Sequence, residues 1–122
     1  MLTRSVPVTL SLALVMFAVA PYLIAQAPYE STMGLVQKIF YYHAPIGIVM
    51  FLATFVCGFA SVSYLRRGRA HSDRLAEAAA ELVVVLCVIV LLTGPLWARK
   101  AWGVWWQWEP RLTSTLVLWL LY

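Results

Sequence analysis

Charge is what this chain has least of. Asp, Glu, Lys and Arg together make up 11% of 122 residues, where a water-soluble domain carries roughly a quarter. Hydrophobic residues fill 63% of the sequence and the mean hydropathy is +0.84. A water-soluble fold could not hide that much apolar surface, so lipid must solvate part of it. The net charge of +4 is small and scattered, and gives no support to a nucleic-acid partner. Cysteine is nearly absent. Cys57 and Cys87 both sit in apolar runs and read as small residues packed inside membrane helices. No CxxCH occurs, which excludes a c-type haem attached covalently to this chain. No GxxxxGK[ST] occurs either, so any work done with ATP would fall to another protein. Internal repeats, low-complexity tracts and hydrophilic domains are also missing.

What is present is long apolar runs. Three of them, about Val6 to Ala27, Ala44 to Leu65 and Ala80 to Trp97, are long enough to cross a hydrocarbon core roughly 30 Å thick, which takes about 20 helical residues. Only backbone that closes its own hydrogen bonds survives in lipid, so these runs should be helices. A fourth run, Ser114 to Tyr122, reaches about half way across. The expected fold is all-α, a polytopic transmembrane bundle with three complete spans and part of a fourth. Residues 1–122 read as a single transmembrane domain that continues beyond Tyr122. Ala25-Gln26-Ala27 resembles a signal-peptidase site and Arg4 gives a basic start, but the apolar region is long and contains Pro21. A retained helix is the favoured reading.

The loops set an orientation. Arg66, Arg67, Gly68, Arg69, Ala70, His71, Ser72, Asp73 and Arg74 form the connection between spans two and three, and four arginines there mark the cytoplasmic side. The amino terminus then also lies inside, and the segments Pro28–His43 and Arg99–Arg111 lie outside. Arg99, Lys100 and Arg111 run against the charge rule at the outer face and invite a functional explanation. Glu81, near the inner end of span three with Glu77 one turn earlier, is close enough to the interface to snorkel.

The segment Trp97 to Ser114, WARKAWGVWWQWEPRLTS, places Trp97, Trp102, Trp105, Trp106 and Trp108 within a dozen residues. An interfacial aromatic belt accounts for one or two tryptophans at a helix end. It accounts poorly for five, interleaved with Gly103, Glu109, Pro110 and Arg111. Gly103 and Pro110 discourage a continuous helix through the segment. A platform for a large, flat, apolar ligand bearing carboxylates is the other reading. Aromatic rings would cover its faces, and Arg99, Lys100 or Arg111 would pair with its acids. Histidine adds one candidate. His43, at the outer end of span two after Phe40-Tyr41-Tyr42, reads either as an interfacial residue or as a ligand. His71 lies across the hydrocarbon core from His43 and cannot share a metal with it.

The run Trp102-Gly103-Val104-Trp105-Trp106-Gln107-Trp108-Glu109-Pro110-Arg111-Leu112-Thr113-Ser114 resembles the tryptophan-rich WWD signature of membrane proteins that handle haem in cytochrome c biogenesis. Its Arg-Leu-Thr-Ser ending is similar to the CcmC (haem exporter protein C) branch, and differs from the usual haem-lyase relatives. Gln37-Lys38-Ile39-Phe40-Tyr41-Tyr42-His43-Ala44-Pro45 resembles that family's segment with the first outer-face histidine. The resemblance covers essentially the whole chain, with Glu109 where the family usually has aspartate.

The resemblance implies a multi-pass protein of the bacterial inner membrane with about six spans and a second outer-face histidine after a later one. It implies non-covalent haem b as the cofactor and His43 as an axial ligand of the haem iron. Trp102, Gly103, Trp105, Trp106, Trp108, Glu109 and Arg111 would form the rest of the haem site, with no catalytic residue. It further implies transfer of haem to the periplasmic chaperone CcmE, a small membrane partner CcmD, and association with ABC-type transporter subunits. A chaperone of haem, not an enzyme, is therefore the expectation. A haem lyase of the same superfamily and a structural subunit with a tryptophan anchor are the alternatives. Residues 1–122 alone are expected to hold haem weakly or not at all, for want of the second histidine and a complete fourth helix, and a full-length protein to bind it measurably.

Overall fold

A run of apolar residues in lipid has no external partner for its backbone, and the chain answers with helices. The computed structural model describes residues 2–122, with side chains from Ser5 onward. Four helices occur among the described residues: α1 (Leu2–Gln26), α2 (Gln37–Arg67), α3 (Ala70–Trp102) and α4 (Pro110–Leu121). No strand is found among the described residues beyond an isolated bridge between Glu30 and Gly34. α1, α2 and α3 are long and apolar enough to cross a membrane. α2 and α3, with 31 and 33 residues, are about 46 and 50 Å long, longer than the hydrocarbon core alone requires.

The expected spans are all present, and their ends differ from expectation in an instructive way. The arginine-rich connection is not a nine-residue loop. α2 runs on through Arg67, only Gly68 and Arg69 break the backbone, and α3 begins at Ala70. Gly68 makes so short a turn possible by taking φ +61, and its N–H bonds the Tyr64 carbonyl at 2.7 Å. Charged residues do not end a helix once it has left lipid, and Arg66 and Arg67 suit the negative end of α2. For the same reason α2 starts at Gln37, so His43 lies in its second turn and not in a loop before it.

The chain divides into two compact units, Met1–Lys38 and Ile39–Tyr122. The first holds α1 and the turn after it. Along α1 the apolar side chains are exposed almost throughout, as a lipid-facing helix requires. The turn is tied by Glu30, whose carboxylate accepts the N–H groups of Thr32 (2.8 Å) and Met33 (2.5 Å) and the Ser31 hydroxyl (3.1 Å). The bond from Met33 does most to hold the Glu30 carboxyl below the usual carboxylate range. Lys38 reaches the Ala25 carbonyl at 2.7 Å, near the end of α1, with its ammonium 4.4 Å from the centre of the Tyr29 ring.

In the second unit α2 and α3 form an antiparallel hairpin. Ser63 meets Ser72 at 3.2 Å, the Cys87 thiol donates to the Met50 sulfur at 3.2 Å, and His43 meets Thr93 at 2.7 Å. From Ser63 to His43 these contacts follow α2 for about 30 Å, a full hydrocarbon thickness. Small residues make the approach possible. α2 buries Ala53, Cys57 and Ala60 below Met50, and α3 buries Ala79, Val83 and Cys87. In lipid, packing of small residues and buried polar contacts hold helices together, because tails are as apolar as leucine. Both cysteines are thus free, buried packing residues, as expected. α4 closes this core with Leu118 and Trp119 against Met50, Ala53, Val83 and Cys87.

Between α3 and α4 the chain turns where the sequence said it would. Gly103 takes φ +79 and caps α3 with a bond to the Arg99 carbonyl at 3.1 Å. Pro110 then starts α4, where its missing N–H costs nothing. The fourth helix begins four residues before the apolar run at Ser114.

Candidate functional site

A cleft of about 620 Å³ opens between the first half of α2, the second half of α3 and the start of α4. Such a volume suits a small organic ligand, since enclosing pockets run from about 300 to 1,000 Å³. α2 supplies Phe40, His43, Gly47, Met50 and Phe51; α3 supplies Val90, Leu91, Gly94, Trp97, Ala98 and Trp102; α4 supplies Pro110, Arg111, Leu112, Ser114 and Thr115. Its wall is apolar apart from one imidazole, one guanidinium and a few hydroxyls. His43 is half-buried, its Nδ1 is 2.7 Å from the Thr93 hydroxyl oxygen, and the edge of its ring lies against Gly94.

The tryptophan segment does not stay together. Trp97 and Trp102 line the cleft and stack edge to face, 5.5 Å apart and at 89°. Trp106 and Trp108 line a second groove with Val88, Leu91, Leu92, Pro95, Leu116 and Trp119, on an adjoining face of α3. They too stack edge to face, at 5.6 Å. Trp105 is exposed, with the Arg99 guanidinium 6.0 Å from its ring centre.

The cations also divide. Arg111 lines the cleft, and its guanidinium stands 5.5 Å from the centre of the Trp102 ring. Its Nε and one terminal nitrogen both donate to a single Glu109 oxygen, at 2.9 and 2.5 Å. Glu109 sits at the amino-terminal cap of α4 but makes no side-chain cap bond there. Its carboxylate holds Arg111 instead. Arg99 and Lys100 lie in the last turn of α3, where cations oppose the helix dipole, and Arg99 donates to the Gly103 carbonyl. That is a structural reason for positive charge at this end of the helix.

Of the residues singled out from sequence, His43, Trp102 and Arg111 come together on one cleft. Glu109 buttresses Arg111, Gly103 makes the turn, Trp106 and Trp108 share the other groove, and Trp105 stands apart. Thr93 and Gly94 escaped notice. Their signal was the interruption Thr93-Gly94-Pro95 in an otherwise apolar span, where a polar and a small residue mark a place of close approach.

A family model described as Heme exporter protein C matches residues 1–122. The chain belongs to the Heme exporter protein C family. Family members of that name include one from Rhodobacter capsulatus, 37% identical over 95 residues, covering 78% of this chain and 39% of the relative. Another, from Bradyrhizobium diazoefficiens, is 34% identical over 119 residues, covering 98% of this chain and 45% of the relative. The Escherichia coli K12 relative is 32% identical over 99 residues, covering 79% of this chain and 39% of its own length. The chain therefore spans less than half the length of these relatives. No solved structure matches it. Membership in this family and three helices able to cross a bilayer make it a membrane protein.

Proposed function

We propose that the chain binds haem b without a covalent bond in the cleft between α2, α3 and α4, and passes it on during maturation of c-type cytochromes. One observation carries this: a histidine and an arginine share a single apolar cleft with two tryptophans. The donor set fits the ligand. A neutral imidazole can hold haem iron and release it. Trp97 and Trp102 offer aromatic surface to a flat macrocycle. Arg111 gives one edge of its guanidinium to Glu109, and the N–H groups left over, on its terminal nitrogens, can serve a propionate. Trp97 also buries an indole N–H with no partner among the described residues, a cost of about 1–3 kcal/mol that an acceptor on a ligand would relieve.

In this reading the cleft faces the periplasm across the bacterial inner membrane, and the Arg66–Arg74 stretch faces the cytoplasm. Haem passes from the cleft to the chaperone CcmE, with CcmD and ABC-type transporter subunits as membrane partners. Titration with haemin of the protein carried to its relatives' full length tests binding. A saturable absorbance band that His43→Ala abolishes supports the reading, and identical spectra for both proteins refute it. Orientation has its own test, a cysteine placed at exposed His71 with Cys57 and Cys87 replaced by alanine. Labelling of that cysteine by an impermeant maleimide in intact cells would reverse the topology.

A further inference from the structure

A neutral histidine carries its proton on one ring nitrogen or the other, and only the bare nitrogen can bind a metal. At His43 the neighbouring groups decide between them. The Thr93 hydroxyl has a single proton. Its oxygen lies 2.7 Å from the Ile89 carbonyl and 3.5 Å from that of Val90, the usual bond of a threonine back to its own helix. The same oxygen lies 2.7 Å from Nδ1 of His43. With the proton on Nδ1, two bonds form at once: Nδ1–H donates to Thr93, and Thr93 donates to Ile89. With the proton on Nε2, the hydroxyl has to turn from Ile89 to serve Nδ1, so one bond forms where two did. Nε2 itself makes no hydrogen bond to a described residue, so a proton there gains no partner from the protein. Two bonds against one favour the Nδ1–H arrangement.

We infer that Thr93 is the positioning residue of His43, fixing the Nδ1–H tautomer and leaving Nε2 as the nitrogen open to a metal. Gly94 completes the arrangement. A Cβ at that position would meet Cε1 of His43 at 3.4 Å, so the ring edge already rests on α3 and the hydroxyl of the preceding residue holds it there. Histidines that bind metals commonly donate their second ring N–H to an oxygen, which sets the tautomer and raises ligand basicity. Thr93 supplies that oxygen from within a membrane span. The function of the bare Nε2 rests on the haem reading above; the tautomer itself does not.

Two measurements separate those claims. Long-range ¹⁵N–¹H correlation on histidine-labelled protein, in a His71→Gln background, reads the tautomer of His43 without haem. Neutral His43 should be protonated at Nδ1, the form that water-exposed histidine disfavours. Thr93→Ser should keep that form, and Thr93→Val, of nearly the same shape, should lose it. Protonation at Nε2 in the parent, or an unchanged pattern in Thr93→Val, overturns the inference. Haemin titration then reads the consequence. Thr93→Val should weaken binding by about 10- to 100-fold, the usual cost of losing a metal ligand's hydrogen-bond partner, and Thr93→Ser should bind within a few-fold of the parent. Parent-like affinity and spectrum in Thr93→Val would remove the positioning role. An Nδ1–H tautomer in a protein that takes up no haem would support the assignment to Thr93 and sink the haem reading.

Discussion

Two tryptophan-lined hollows share α3 and α4, and they differ in kind. The cleft combines Trp97 and Trp102 with an imidazole held by Thr93 and a guanidinium held by Glu109. The groove combines Trp106, Trp108 and Trp119 with leucine, valine and proline alone. Tryptophan lines both, so it does not distinguish a ligand site from a face made for lipid or for another helix. The distinguishing feature is a polar side chain held in place by a second polar side chain. Burying such a pair is costly unless every member is bonded, and a membrane protein keeps few of them without use.

That contrast can be broken by experiment. The largest effect should come from His43→Ala, which removes the one imidazole among the described residues that line the cleft. Affinity for haemin should fall by about 100-fold or more, equivalent to ~2.7 kcal/mol. Added imidazole should restore part of the spectrum, because the vacated space admits a small nitrogen ligand. The same imidazole should leave a tryptophan variant unchanged.

Next in size are the tryptophans, read as a pair. Trp102→Ala should weaken haemin binding by about 10-fold, ~1.4 kcal/mol, by stripping one aromatic face from the cleft. Trp106→Ala should change it by less than about 3-fold, since that ring lines the other groove. Equal losses would mean that haem spans both hollows, or lies in neither, and the comparison would fail. The ligation spectrum of the haem that remains should be unaltered in both, because neither ring bonds to iron.

A smaller effect is expected from charge. Arg111→Gln should lower affinity by about 3- to 10-fold, and the loss should shrink at high salt, as for a half-exposed charge-assisted pair. Glu109→Gln should follow in the same direction by weakening the pair that positions Arg111. Lys100→Gln, on the exposed last turn of α3, should do nothing measurable. A parent-like affinity in Arg111→Gln would take the propionate contact out of the cleft.

Smallest of all, and confined to stability, is Val83→Ala in the core that both hollows stand on. Loss of two buried methyl groups should cost about 1–2 kcal/mol in detergent unfolding without changing the haem spectrum at saturation. A changed spectrum would show that the cleft and the core are not separable.

Much of the fold was legible in the residues. Lipid removes every alternative to an internally bonded backbone, so an apolar run of sufficient length is a helix whatever surrounds it. The end of α3 at Gly103 and the start of α4 at Pro110 were legible for an equally local reason, the conformations these two residues allow. The ends at Arg67 and Ala70 were not, because a helix that has crossed the membrane continues into water as long as its own propensity permits. The site was legible in part. Trp102 and Arg111 stood out in the tryptophan-rich run and His43 through the resemblance of the segment around it, and the three line one cleft.

The sequence by itself, then, determined that this protein lives in a membrane, how many helices it forms, and where most of them turn. Each of those follows from interactions within a few residues or from the solvent, and composition expresses both. Only the tertiary structure decided that five tryptophans divide between two hollows, that Glu109 serves Arg111 and not the cap of α4, and that Thr93 faces His43 from 50 positions away. A helical side chain's direction changes by about 100° with each residue, and which direction meets a neighbour depends on how two helices pack and in what register. Small residues at Ala53, Cys57, Ala79 and Cys87 bring α2 and α3 close, and that register carries His43 to Thr93.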